Sequence, residues 1–447
     1  VIRILPEAFI HFNMEESIVV RGGNRLVGTV TPVPNKNSIV AALPACILSK
    51  DVVTYRNVPK STDVVMILEM LKSLGAKVDD KDFNNLQINC RDVNSYEVDM
   101  ELGSKIRASI LFAGPLLSRF GKAKIPLPGG CQLGERSLAS HIDSFRKAGV
   151  KAKVTKTYIY FEKAGAPSDL IWQAEASVTS TENVALFASG IADRITIIDA
   201  ASEPHVCDLL NLLSSMGAGI EGIGSSKIIV SGRAHLRGSV FVPGPDFIDI
   251  AGYIVAAALT FGEIRIKDSN IPQIMNGIIE WFRKFNVTIN KDGEDLVAIG
   301  PEQLSIDLKD GGFPMASSNL PKFVPRPWPG FPVDALPIVV ALSCKLDGRI
   351  LIHNWMYETG LEFVKSLNLL GGNFQILDSQ KVIASGPMDL KGGRVESPGV
   401  IQGCMALFLA SLADRVETAI SGVGILKRRN PYIFDIYKKL GADIRVL

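Results

Sequence analysis

Six segments of the 447-residue chain end in the same way, with a helix-like run closing on a small residue or an amide and then a short apolar strand. They are MLKSLGAKV around Gly75, SFRKAGVKAKV around Gly149, LLSSMGAGI around Gly217, WFRKFNVTI around Asn286, LNLLGGNFQI around Gly371 and YKKLGADIRV around Gly441. The intervals between these six positions run from 68 to 85 residues. Glycine enters the left-handed region freely and asparagine tolerates it, so each position reads as a helix C-cap. Each unit also opens alike, with a small-residue helix such as AALPACILSK or NVALFASGIAD, a β-branched strand such as DVVTYRNV or RITIIDAA, and a second helix. Two strands, two helices and a hairpin cannot close a core alone, so the units must pack on one another. The period exceeds the ~20–50 residues of common solenoid repeats. It leaves open one array of six units or two lobes of three.

This length calls for two or three domains. With 48 Lys+Arg against 46 Asp+Glu, interspersed, there is no electrostatic footprint for nucleic acid or an anionic membrane. The cysteines, at 46, 90, 131, 207, 344 and 404, form no metal-type spacing, and reduced thiols are expected. The first residues lack the plan of a signal peptide, and no apolar run reaches the ~18 residues of a membrane helix, so a soluble cytoplasmic protein is expected. Two stretches break the pattern. PGPDF at 243–247 reads as a domain crossing, and the aperiodic tract 311–332, with six prolines, reads as a site wall leading to Asp334.

Several residues stand where chemistry could occur. Cys131 lies among glycines with Lys122, Lys124 and Arg136 nearby, a setting that favours a thiolate; the alternative is an inert thiol in a turn. The other five cysteines sit in apolar contexts and read as small buried hydrophobes. Lys36, in TPVPNKNSIVAALPA, stands at a helix entry that suits a phosphate, or else Asn35 or Asn37 caps that helix beside a solvated lysine. Arg107, before an apolar run, binds an anion or its own neighbours. Asp334 precedes ALPIVVALSC and is either a helix cap or a general base. KRRNP at 427–431 fits an anion clamp or a solvated turn, while His141, His205 and His353 read as capping or core residues.

Taken together, RGGNRLVGTV, NKNSIVAALPA, RNVPKSTDV, IRASILFAGPL, LPGGCQLGER, SVTSTENVALFAS, ASEPHVCDLL, PWPGFPVD and KKLGADI resemble the enolpyruvyl transferases. The similarity is to the UDP-N-acetylglucosamine branch more than to the shikimate-pathway branch. It implies an α/β (α+β) fold, a two-lobed inside-out α/β barrel of six βαβαββ units, three per lobe. The implied lobes are 36–244, and 1–35 with 245–447. The implied chemistry is transfer of enolpyruvate from phosphoenolpyruvate to a hydroxyl of a uridine nucleotide or nucleotide sugar, without metal or cofactor. By motif position Cys131 would be the loop thiol that donates a proton or assists product release, and Asp334 the base near the acceptor hydroxyl. Lys36, Arg136 and Arg428 would hold the donor, while Asn37, Arg107, Ser177 and Val178 would fall on the acceptor side.

The chain departs from that pattern at defined places. Gly360 stands where the family has an arginine for the donor carboxylate, and Ile401 or Gln402 where a second is expected. Lys322, Arg326, Arg394 and Arg429 are the candidates to replace them. Glu175 replaces an acceptor-side lysine, Ser137-Leu138-Ala139 replaces Pro-Val-Asp, and Phe247 replaces an arginine after Asp246. Three functions follow: peptidoglycan enolpyruvyl transfer, a specialised transfer to UMP or another nucleotide in a secondary pathway, or a non-catalytic ligand sensor on the same fold.

Overall fold

The computed structural model of the chain describes residues 16–127, 138–306, 308, 312–317 and 319–447. The left-handed ends organise it. Gly75, Gly149, Gly217, Asn286, Gly371 and Gly441 all have positive φ, from 66° at Asn286 to 113° at Gly217, and each follows a helix. The turn they make sends the chain from that helix into the outer strand of a sheet.

The third repeat shows the unit whole. Strand Leu170–Trp172 leads to helix Val178–Ser189, strand Arg194–Ile198, helix Pro204–Ser215, and the hairpin Gly219–Glu221 with Lys227–Ser231. In the sheet the second hairpin strand lies antiparallel beside Arg194–Ile198, and Leu170–Trp172 runs parallel on its other side. Six sheets are present among the described residues, and the same arrangement of a parallel neighbour, a central strand and an antiparallel hairpin recurs through them. In the second repeat the parallel neighbour shrinks to a bridge between Glu97 and Lys124.

The described residues fall in two compact units, one of 16–33 and 245–447, the other of 34–127 and 138–244. Each has its own apolar core and three of the sheets. Outside the second repeat, where Met100–Lys105 buries only Gly103, the first helix of each repeat is internal, which explains its small, apolar composition. In the first unit helices Phe247–Leu259 and Leu336–Ser343 are buried at every position, and both pack on Ile401–Ser411. A helix buried all round must be apolar all round. The second helix of each repeat is one-sided: in Pro272–Arg283 the buried residues are Met275, Ile278, Ile279 and Phe282, one stripe at helical spacing. No helix among the described residues is long and apolar enough to cross a membrane.

Three sheets take in a strand from a distance. Ile18–Arg21 inserts antiparallel between Glu417–Ser421 and Asp443–Val446, filling the slot that a hairpin strand occupies elsewhere. Val27–Val30 runs parallel to Glu263–Ile266, and Val240–Phe241 runs parallel to Val52–Tyr55. Among the described residues the chain therefore passes between the units twice, after Val33 and after Gly244, the second within PGPDF. The Pro-rich tract is more ordered than its sequence implies. It contains a hairpin of Met315–Ser317 with Leu320–Phe323, and the latter strand also runs parallel to Leu346–His353.

Candidate active site

In the unit of residues 34–244, Asn35 caps helix Lys36–Ala42, its side chain accepting from the N–H groups of Asn37 and Ser38. Those two N–H groups are thus taken, and the capping alternative holds for Asn35. Lys36 is not solvated: its Nζ lies 2.6 Å from Asp63 Oδ2, with 15% and 9% of the two side chains exposed. Asp63 sits in the first turn of helix Thr62–Ser73, which Ser61 caps. The pair holds a cation at the helix entry, with Asn37 half-buried beside it.

Arg107 opens the 3₁₀ turn Arg107–Phe112 that runs into helix Ala113–Phe120. Its charge faces His141, whose pKa falls to about 3, chiefly through burial and then through Arg107. His141 is therefore a neutral imidazole at physiological pH, 3.0 Å from Thr179 Oγ1 and 3.2 Å from Asn183 Nδ2. Ser177 and Val178 stand at the start of the helix that carries Thr179 and Asn183. Close by in sequence, Glu175 accepts a hydrogen bond from Ser140. Arg107, His141, Ser140, Glu175 and the Ser177–Asn183 turn thus form one polar region. Glu182 on that helix is also buried, its carboxyl pushed well up by desolvation and then by Glu203.

In the other unit, Asp334 lies in the turn Val333–Ala335 ahead of helix Leu336–Ser343 and makes no cap for it. Its Oδ1 accepts from Gln402 Nε2 at 3.2 Å and from Tyr357 Oη at 3.4 Å. Asp334 and Gln402 share a pocket with Asp249, Arg429, Asn430 and Met405. The base reading of Asp334 thus has a built surrounding, and the capping reading does not. The cations of KRRNP are fixed rather than solvated: Lys427 pairs with Glu16 at 2.5 Å, and Arg429 Nε lies 3.4 Å from Asp246 Oδ2. Arg428, between them, ends the turn Val423–Arg428 and is half-buried.

At Gly360 a Cβ would collide with Asn354 Nδ2 and meet Tyr357 Cβ at 3.1 Å, so no side chain fits there while Asn354 holds its place. The glycine at 360 is therefore built into the surrounding packing. Cys131 and Arg136 lie outside the described residues. Of the remaining cysteines, Cys46, Cys90, Cys344 and Cys404 are buried as expected, and Cys207 is only half-buried. Burial pushes the thiols of Cys207, Cys344 and Cys404 up to about 11, 12 and 12, which suppresses the thiolate at each. Sequence reasoning missed Asp63, Tyr357 and Asn430. Asp63 falls in the RNVPKSTDV motif, the one signal that could have found it.

Residues 20–436 match the family model for EPSP synthase (3-phosphoshikimate 1-carboxyvinyltransferase). UDP-N-acetylglucosamine 1-carboxyvinyltransferase of Treponema denticola is 33% identical over 429 residues, covering 96% of this chain and 98% of the relative. The enzyme of the same name from Bradyrhizobium diazoefficiens is 34% identical, covering 96% and 97%. Among solved structures, the enolpyruvyl transferase NikO from Streptomyces tendae superposes with a TM-score of 0.83 at 20% identity, covering 97% and 99%, a likeness of fold. EPSP synthase from Acinetobacter baumannii does so with a TM-score of 0.70 at 15% identity, covering 97% and 100%. Matched nearly from end to end by one family model and by relatives at a third identity, the chain belongs to the EPSP synthase family of enolpyruvyl (carboxyvinyl) transferases.

Proposed function

We propose that the protein transfers the enolpyruvyl group of phosphoenolpyruvate to a hydroxyl of a uridine nucleotide, UDP-N-acetylglucosamine by default. The observation that carries this is Asp334, a carboxylate at the wall of a pocket that accepts from Gln402 and Tyr357 rather than being spent on capping its helix. Full-length relatives that carry the UDP-N-acetylglucosamine name support the acceptor.

In this reading Asp334 takes the acceptor's proton as that oxygen bonds to C2 of the donor, and Cys131 delivers a proton to C3. The tetrahedral adduct then gives up one of its three C3 methyl protons to the thiolate left on Cys131 as the C2–O bond to phosphate breaks, which restores the vinyl group and releases inorganic phosphate. Lys36, Arg136 and Arg428 hold the donor's charge, and fixed cations at a developing charge are what lower such a barrier. Asn37, Arg107, Ser177 and Val178 serve the acceptor, in two lobes taken as 36–244 and the remainder.

Glu175 favours a second reading, a related nucleotide such as UMP as the acceptor. A carboxylate oriented by Ser140 repels a diphosphate where a lysine would attract it. Phosphate release and product mass, recorded with phosphoenolpyruvate plus UDP-N-acetylglucosamine, UMP or no acceptor, decide between them. Product with the sugar nucleotide supports the default, and product with UMP alone supports the second. Ligand binding without product in any mixture contradicts both and leaves the sensing role.

A further inference from the structure

The resemblance leaves the donor's carboxylate without its two expected arginines. Gly360 has no side chain to offer, and Gln402 offers a neutral amide. Of the four replacement candidates, Arg326 and Arg394 are exposed, and Lys322 lies on the strand Leu320–Phe323. Arg429 alone among these four lines the pocket of Asp334.

Its setting is that of a prepared anion ligand. The Arg429 side chain is 14% exposed, and its Nε faces Asp246 Oδ2 at 3.4 Å. Asp246 is itself fixed, because its Oδ1 accepts from the N–H groups of Ile248 and Asp249 at 2.9 and 3.3 Å and so caps helix Phe247–Leu259. Neither Nη group of Arg429 makes a hydrogen bond to a described residue, which leaves one edge of the fork to present to a ligand. Asn430 adds a second donor. It is 1% exposed, its Oδ1 accepts from the Tyr432 N–H at 3.1 Å, and its Nδ2 is buried beside the Tyr253 hydroxyl without a well-formed hydrogen bond. A buried donor left unmade is costly, so the amide gains by meeting an acceptor. Asp249 also lines the pocket, and burial, reinforced by Asp246, lifts it to about 7; protonated, it is a donor rather than a repelling charge.

We propose that Arg429 and Asn430, with Gln402 beside them, bind the carboxylate of the donor, supplying from the following turn what Gly360 and Gln402 have given up. The inference rests on phosphoenolpyruvate being the donor. One cation and two amides suit a monoanion better than a phosphate dianion, because Asp246 already takes part of the cation's charge.

The test compares dissociation constants of phosphoenolpyruvate and isopropenyl phosphate, which carries a methyl in place of the carboxylate, measured calorimetrically on the full chain. The wild type should prefer phosphoenolpyruvate by roughly 10–100-fold, the worth of one or two charge-assisted hydrogen bonds. Arg429→Gln and the near-isosteric Asn430→Asp, which keeps the acceptor to Tyr432, should each erase most of that preference and leave isopropenyl phosphate within about twofold. Because Asn430→Asp keeps the shape and the acceptor for the Tyr432 N–H, it carries the test if Arg429→Gln does not fold. A wild type without preference, or variants that keep it or lose both ligands equally, overturns the inference. Turnover in the same samples separates the two claims. Preference through Arg429 without product retains the carboxylate site and removes the transfer reading; product with the preference intact in both variants does the reverse.

Discussion

Asp334 receives two neutral donors on one oxygen, from Gln402 68 residues away in sequence and Tyr357 23 residues away. Asp334→Asn keeps the shape and removes the base, so turnover should fall about 10²–10⁴-fold with little change in melting temperature. A comparable fall in both would instead make Asp334 a structural residue. Asp249 gives a pH signature. Its folded pKa of about 7 stands above the ordinary carboxylate value, so the folded state binds the extra proton and stability is lost as pH rises from about 4 towards 7. Against Asp249→Asn, the wild type should lose up to about 1.4 kcal/mol per pH unit across that window in urea titrations. Parallel pH profiles for the two proteins would contradict the buried carboxyl. Asp334 and Lys36 were legible because they lie inside family motifs. Their pairings were not: Asp63, though inside a family motif, Gln402 and Tyr357 make these contacts only when helices and turns far apart in sequence are packed together.

The helix ends were the most legible elements, since a left-handed residue leaves its mark in one position. Asn286 is the exception that tests the rule, holding φ of 66° at a site where the other five units have glycine. Asn286→Gly gives up the side-chain hydrogen bond to the Gln303 carbonyl but relieves the backbone, and these effects should leave stability within about 1 kcal/mol. Gly217 has φ of 113° and open space where a Cβ would sit, so Gly217→Ala isolates the backbone term and should cost about 1–2 kcal/mol in denaturant midpoint experiments. An alanine there without cost would show that the turn relaxes. The internal helices were also readable from their small apolar composition. Strand Leu320–Phe323 was not, because Pro321 interrupts its pattern and only Lys322 and Phe323 pair with the parallel neighbour. Burial of Phe323 against Trp281 and Phe331 holds it in place, a contact between distant segments.

At the scale of the molecule, the repeat count was visible in sequence and the resemblance implied that residues 1–35 belong with 245–447, while the particular sheets that those residues complete were not visible. Four-residue strands at 18–21 and 27–30 look like a separate start, yet one completes the last sheet and the other the fourth. Deleting residues 18–21 should expose the facing edges of Glu417–Ser421 and Asp443–Val446, and their amides should exchange with solvent several-fold faster or more. Unchanged protection there would refute the inserted strand's role. The central claim is chemical, and deuterated water tests it most directly. With phosphoenolpyruvate and the productive acceptor, addition and elimination through a methyl-bearing intermediate should place solvent deuterium in the vinyl group of the product as phosphate is released. Phosphate release that yields only pyruvate, with no vinyl ether formed, would contradict enolpyruvyl transfer by this protein.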